Sequence, residues 1–247
     1  MISVRHAPTK KQNEQLTAAP ASSGETNAAW LARVGAKSGI LLLGGSSLSH
    51  FRLRVAQSHL RQDMLPSFWS LAGILRDGTV ATVPLGRAGD VSDVPLANGV
   101  EFCPLSAFDD PAWYPNIAVI DFGVAPAQIG DAIGRVKAER SIIDLPRLIL
   151  PWLGFVWGAG HPLNPLLEGT GIASAAFVET VYALCDVELT PGLSSDATCP
   201  EAIWQSAKWW HGYYEQAGGG QRGIGPVGKF ATRQPAAAVH EPEDARR

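Results

Sequence analysis

The sequence predicts an α+β fold, in which a small antiparallel sheet packs against helices. Short apolar runs bounded by glycine or turn residues come first along the chain, and stretches with helical periodicity follow them. The 247 residues include 26 Gly and 18 Pro, a proportion that favours short elements joined by many turns. Because 46% of the residues are hydrophobic, the chain can bury a core and is not disordered throughout.

Short runs of apolar and β-prone residues in the first half of the chain are predicted as strands. The run GILLLG at 39–44 lies between glycines and suits a buried strand. The dipeptide Asp77-Gly78 separates two β-prone runs, so it predicts a hairpin. The predicted strands are 39–44, 71–75, 79–83, 100–105 and 117–122.

Helices are predicted from cap residues and from apolar residues three or four positions apart. The serines of 46–49 offer an N-cap for one helix, and Pro126 opens another. A further helix is predicted over 172–185. The last begins at Thr198, because Thr198 and Glu201 fit a capping box with a proline between them in the first turn.

The two ends of the chain differ in composition from the middle. Residues 7–28 are polar and contain one large aliphatic side chain, and the last 30 residues are rich in Gly, Pro, Ala and charged residues. Such segments favour flexible arms. We therefore expect a flexible N-terminal arm over 1–28, a folded domain over 29–217 and a flexible tail over 218–247.

Charge and hydropathy limit the partners and the compartment. The formal charge of −3 lacks the basic excess of a general nucleic-acid binder, so no nucleic-acid partner is expected. The polar N-terminus lacks the apolar centre of a secretory signal. The longest uncharged apolar run, 148–160, is also shorter than the roughly 20 residues of a bilayer span. We expect a cytoplasmic protein with no transmembrane segment.

The sequence contains no recognisable metal or cofactor motif. The 3 cysteines form no CxxC pair and have no metal-ligand spacing with the 6 histidines. Walker, HExxH and GxSxG patterns are also missing from the sequence. No cofactor and no metal site are therefore predicted.

The order of several segments resembles that of the circularly permuted papain-like hydrolases, the superfamily of NlpC-type peptidases and lecithin retinol acyltransferase. The resemblance covers about 36–212. It rests on SFWSLAGI (67–74), DGTVATV (77–83), GVEFCPLSAF (99–108) and IASAAFVE (172–179). It implies a permuted papain-like fold and a catalytic site shared between a helix start and the strands of a hairpin.

The residues at the positions of that catalytic site have changed. The resemblance places Ser174 at the nucleophile position, Leu71 at the base position and Thr82 at the orienting position. A leucine cannot accept a proton, and a serine hydroxyl depends on a base even more than a thiol does. The sequence therefore predicts a catalytically degenerate domain, retained for binding or as a structural part of an assembly.

Two alternatives remain open. An active hydrolase or acyltransferase could use Ser174 as nucleophile with His161 as an alternative base, or a cysteine such as Cys199 at a helix start. A lipid-binding module is the other alternative, because residues 148–157 are apolar and acyltransferase relatives act on acyl chains.

The tryptophans are the candidate binding residues. Trp152 and Trp157 lie in the apolar run, and Trp209 and Trp210 are adjacent on the last predicted helix. Neighbouring helical residues point about 100° apart, so one of Trp209 and Trp210 should be exposed or in contact with a partner. Because tryptophans often anchor interfaces, a protein partner is expected, with a lipid or a peptide as the alternative ligand.

Overall fold

The computed structural model describes residues 16–85, 98–158, 162–216 and 226–238. The helices are α1 (Asn27–Arg33), α2 (Leu48–Ala56), α3 (Pro126–Ala138), α4 (Leu145–Trp157), α5 (Ala173–Ala183) and α6 (Pro200–Gln216). The strands are β1 (Thr17–Ala18), β2 (Ser38–Gly44), β3 (Leu71–Arg76), β4 (Thr79–Thr82), β5 (Glu101–Pro104), β6 (Asn116–Asp121) and β7 (Val227–Thr232).

All the strands belong to one sheet with the order β1-β7-β6-β2-β3-β4-β5. The short β1 runs parallel to β7, and the other neighbouring strands are antiparallel. The α+β class is therefore confirmed. The expected small antiparallel sheet was wrong, because the sheet has 7 strands and is mixed.

The β3–β4 hairpin forms where the Asp-Gly dipeptide predicts it. Asp77 has φ +45° and Gly78 has φ +78°. Positive φ at both central residues is the conformation of a two-residue type I′ turn, whose twist matches that of the paired strands. The turn fixes the register, in which Gly73 pairs with Thr82 and Leu75 with Val80.

Alternate residues of β2 and β3 build two separate cores, one on each face of the sheet. We call the first the α5-side core; it contains Ile40, Leu42, Ala72 and Ile74 together with apolar residues of α3, α4, α5 and α6. The second, the α1-side core, contains Leu41, Leu43, Leu71 and Leu75 with Trp30 and Leu31 of α1. The face on which a strand residue lies therefore decides which helices it can reach.

The expected flexible ends contain parts of the sheet. Strand β7 lies within the predicted tail and pairs with β6 along its length, and β1 lies within the predicted arm and pairs with β7. Backbone pairing with the edge of β6 stabilises β7, a long-range interaction that local composition does not reveal. The boundaries at 28 and 218 are corrected accordingly, because α1 also begins within the arm, at Asn27.

Helix α4 has no counterpart among the predicted helices, although it overlaps the apolar run 148–160. Asp144 is its N-cap and accepts a hydrogen bond from the N–H of Arg147, while Pro146 lies in the first turn. Pro151 lies inside the helix, and Gly158 ends it with a left-handed conformation. Pro151 argues against a helix in the sequence, but the caps at Asp144 and Gly158 and the packing of α4 stabilise one.

Trp152 joins α4 to the loop before α5. Its side chain is fully buried, and its indole Nε1 donates to the carbonyl of Gly171 at 2.8 Å. We expect Trp152→Phe to lower the free energy of unfolding by about 2 kcal/mol, because it removes this hydrogen bond and leaves a cavity.

Trp157→Phe provides the matched control on the same helix, since the Trp157 side chain is 46% exposed. Its effect should stay within about 0.5 kcal/mol. Urea denaturation of both variants makes the comparison. Equal losses of stability in the two variants would contradict the structural role of Trp152.

Candidate functional site

Ser174, the expected nucleophile position, lies in the first turn of α5 where this helix crosses β3. Its side chain is 1% exposed. The hydroxyl oxygen accepts a hydrogen bond from the backbone N–H of Ala72 at 3.2 Å, its one hydrogen bond among the described residues. The hydroxyl therefore ties helix α5 to strand β3.

Leu71 and Thr82, the base and orienting positions, lie on the other face of the sheet from α5. Leu71 belongs to the α1-side core. Thr82 pairs with Gly73, so its side chain shares the face of Leu71, and its hydroxyl donates to the carbonyl of Ala72 at 2.6 Å. The structure therefore does not bring Leu71, Thr82 and Ser174 together around one space.

Ala72 lies on the face of β3 that α5 covers. Its methyl side chain can neither accept nor donate a proton. Around Ser174, β3 thus supplies a backbone N–H and a methyl group where a papain-like site needs an imidazole. His161, the alternative base, lies outside the described residues, so its pairing with Ser174 stays a prediction.

A serine–histidine pair that the sequence analysis missed lies at the end of β2. The Ser70 hydroxyl is 2.9 Å from Nδ1 of His50, accepts from the N–H of Gly45 at 2.9 Å and lies 3.3 Å from the carbonyl oxygen of Leu43. A Cβ at Gly45 would lie 2.4 Å from the His50 ring, so this position requires glycine. The Gly-Gly-Ser-Ser run between β2 and α2 was the available sequence signal.

This pair braces the structure. Ser70 is 1% exposed, and its hydroxyl already has partners on three sides. Burial, with a smaller contribution from the charge of Arg54, lowers the pKa of His50 to about 4. The imidazole also packs edge-on against Tyr114 at 5.5 Å between ring centroids. The neutral imidazole of His50 and the fully hydrogen-bonded hydroxyl of Ser70 hold the start of α2 against the sheet, where β2 ends and β3 begins.

Cys185 and Cys199 are not activated as nucleophiles. Burial raises the pKa of the Cys199 thiol to about 12, despite its place at the start of α6. Burial also raises the pKa of Cys185, and no disulfide joins the cysteines of the described residues. A thiol whose pKa is raised contains little thiolate at neutral pH, so it reacts slowly.

The candidate binding tryptophans divide between the core and the surface. Trp152 is fully buried, and its indole is hydrogen-bonded to the loop before α5, so it presents no surface to a partner. Trp209 is 60% exposed and its ring stacks on that of Tyr213, with 5.5 Å between centroids and 13° between planes. Trp210 is half-buried beside Trp209, so the expected exposure of one of the two is confirmed.

Comparison with known proteins finds no match: no protein-family model, no curated protein and no solved structure resembles the chain significantly. In the described part of the chain, no helix is both long and apolar enough to cross a membrane. The geometry of the individual residues therefore carries the functional argument.

The partly buried His50 should make the folded state sensitive to acid. Its pKa falls from 6.5 to about 4 on folding, so the unfolded chain takes up this proton at a higher pH than the folded protein does. The stabilisation is complete above pH 6.5 and is lost as the pH falls toward 4. We expect a loss on the order of 3 kcal/mol across this window.

His50→Asn keeps a polar side chain near Ser70 but has no proton to gain, so its stability should fall less between pH 7 and pH 4.5. His59→Asn, at an exposed position of the next turn, serves as the control and should retain the wild-type slope. Urea titrations at a series of pH values measure both. A wild-type slope in the His50 variant would contradict the burial argument.

Proposed function

We propose that this chain is a catalytically inactive member of the circularly permuted papain-like group and works by binding, as an interaction domain or a structural part of an assembly. The observation that supports the proposal is the state of Ser174. Its hydroxyl is buried, accepts a backbone N–H and faces a strand that offers Ala72 in place of a base.

These features work against acyl or peptidyl transfer at Ser174. A serine becomes a nucleophile when a neighbouring base removes its proton during attack. The hydrogen bond from Ala72 N–H withdraws electron density from the oxygen, and burial excludes a substrate carbonyl from it. Removal of one member of a catalytic triad lowers the rate by several orders of magnitude, so a site without a base retains little catalysis.

The exposed aromatic pair on α6 supports a protein partner. Trp209 and Tyr213 present stacked rings to the surface, one turn apart on the same helix face. Tryptophan and tyrosine supply a large apolar area with few rotatable bonds, and they dominate the binding energy of many interfaces. We assign this pair as the protein-binding surface of the proposed function.

Covalent probes test the catalytic part of the proposal. Neither a fluorophosphonate on the wild-type protein nor iodoacetamide on a Ser174→Cys variant should label position 174, because the site lacks a base and is buried. Labelling is measured by peptide mass spectrometry on folded protein, with urea-unfolded Ser174→Cys as the control that must react with iodoacetamide.

Selective fluorophosphonate labelling of Ser174 that disappears in Ser174→Ala would contradict the proposal. It would favour the active hydrolase or acyltransferase in which His161 acts as the base. The labelled peptide distinguishes this outcome from reaction at Ser70, because the two serines lie far apart in the sequence.

A second candidate function, contact with a lipid surface, is favoured by one face of α4. Residues Arg147, Leu150, Pro151, Gly154 and Trp157 follow helical spacing along this face, which we call the α4 stripe. Leu150 is 69% exposed, and the side chain of Arg52 donates to the carbonyl of Val156 near the end of the helix. An apolar stripe with an arginine near each end suits insertion among anionic headgroups.

Vesicle flotation tests this second candidate. If the α4 stripe contacts lipid, the wild-type protein should float with vesicles that contain anionic phospholipid, and Leu150→Glu should lower the bound fraction at least about tenfold. Leu193→Glu, at an exposed leucine outside the stripe, is the matched control and should float like the wild type. Absence of wild-type flotation, or equal flotation of the two variants, would exclude this function.

A further inference from the structure

The guanidinium of Arg54 on α2 is fully buried and is surrounded by backbone carbonyl groups. Nε donates to Ser67 at 2.8 Å, and Nη1 donates to Gly45 at 3.1 Å. The remaining acceptors come from the far end of the chain and are the carbonyls of Pro235, Ala236 and Ala238. The cation is therefore held between its own region of the fold and a segment about 180 residues away.

Arg54 has no acidic partner among the described residues. The ion pairs among the described residues involve other arginines, namely Arg33, Arg61 and Arg140. Burial, with a contribution from the like charge of Arg61, lowers the pKa of Arg54 to about 10. A buried cation satisfied only by neutral carbonyls is costly, and a carboxylate is the partner that a guanidinium fork binds best.

The distant acceptors belong to residues 233–238, which follow β7 and which we call the C-terminal strap. The strap has no helix or strand of its own. The N–H groups of Arg233 and Gln234 donate to Oδ1 of Asn116, and Ala236 is buried against Arg54. Hydrogen bonds to two side chains, Asn116 and Arg54, thus hold much of the strap in place.

Hydrogen bonding is incomplete where the strap begins, at Arg233 and Gln234. Within the described part of the chain, buried polar atoms of three residues there have no hydrogen-bond partner: Nδ2 of Asn116, Nε of Arg233 and Oε1 of Gln234. Each such group has lost its hydration without gaining a hydrogen bond in exchange, which is unfavourable. The guanidinium of Arg233 does donate to Asn27, Pro115 and Glu25, so the strap is anchored at its start and the unsatisfied atoms mark the incomplete part of its fit.

The directions of the hydrogen bonds show what would replace the strap. Among the described residues, Nη2 of Arg54 donates only to strap carbonyls, and Nη1 shares its protons between Gly45 and Ala238. Release of the strap would free N–H groups on both terminal nitrogens. That edge of a guanidinium matches the two oxygens of a carboxylate.

We propose that Arg54 is the centre of a recognition site for a peptide that ends in a free carboxylate, and that the C-terminal strap occupies this site within the same chain. The strap mimics the ligand with its backbone carbonyls. The buried methyl of Ala236 indicates that the terminal ligand residue is small. The site deepens the proposed binding function by naming a partner chemistry, yet it shares no residue with the Ser174 region or the Trp209 surface.

Opening the strap in the full-length chain tests the proposal. Ala236→Arg places a second cation against Arg54 and should expel the strap, whereas Ala237→Arg changes an exposed neighbour and is the matched control. The probe is acetyl-Ala-Ala-Ala with a free carboxylate, compared with the same peptide as its C-terminal amide. Calorimetry measures both affinities, and circular dichroism verifies that each variant is folded.

The Ala236→Arg variant should bind the acid peptide at least about tenfold more tightly than the wild type does, and at least about tenfold more tightly than it binds the amide. The Ala237→Arg variant should behave like the wild type. Adding Arg54→Gln to the opened variant should abolish the preference for the acid. Equal affinities for acid and amide, or no gain on opening, would overturn the proposal.

Hydrogen exchange on the wild-type protein gives a second measurement that needs no strap variant. Saturating acid peptide should accelerate exchange at the hydrogen-bonded amides of Gln234 and Ala238, because the peptide displaces the strap, and the amide peptide should not. Unchanged exchange at millimolar acid peptide would overturn the proposal even if Ala236→Arg failed to fold. Neither result depends on whether Ser174 is catalytic.

Discussion

The central strand β2 is buried on both faces, and this constraint determines the layers around it. From Gly39 to Gly44 its residues are all buried, with alternate leucines and isoleucine pointing to opposite sides. Each side needs its own cover, since an uncovered row of such side chains would lose the free energy of burial. Helix α1 and its neighbours cover one face, and α3 and α5 cover the other.

Strand β3 pairs with β2 and is buried beneath α5, so α5 is itself enclosed by the rest of the fold. This helix is buried from Ala173 to Tyr182, so every polar side chain on it needs an internal partner. Thr180 donates to the carbonyl of Ala176, and the carboxylate of Glu179 accepts from the N–H groups of Leu189 and Thr190. Ser174 follows the same rule when it accepts the N–H of Ala72.

Buried polar groups on α5 are thus poor indicators of chemistry. Burial raises the pKa of Glu179, while hydrogen bonds from Thr190 and Leu189 act in the opposite direction. Its bonds fasten the chain after α5 to the middle of the helix. Glu179 and Ser174 therefore both fasten neighbouring segments to α5, at two different turns of the helix. Their contacts are explained by this structural role without any catalytic one.

The elements with local signals could be predicted from the sequence, and the elements that depend on distant pairing could not. The Asp77-Gly78 hairpin and the Ser47 cap of α2 depend only on residues adjacent in the sequence. Strand β7 has no comparable signal, because it lies between stretches of low complexity and forms by pairing with β6, about 110 residues earlier. Arg54 was missed for the same reason, since its strap partners lie about 180 residues away.

The candidate site shows a second limit, which concerns register. Segment matching placed the base position at residue 71, one residue from Ala72, and a shift of one residue reverses the face of a strand. The pairing of Leu43 with Leu71 and of Leu42 with Ala72 assigns these faces. No local pattern reveals them, because both neighbours are apolar and both are buried.

The register also decides what a restored base could do. A histidine at position 71 would point into the α1-side core, beside Leu41, Leu43 and Trp30, where an imidazole would lie among apolar side chains. A histidine at position 72 would point toward α5 instead, next to the helix turn that carries Ser174. Ala72, and not Leu71, therefore occupies the position from which a basic side chain could reach Ser174. The close packing of α5 against β3 leaves the methyl group of Ala72 little room to be replaced.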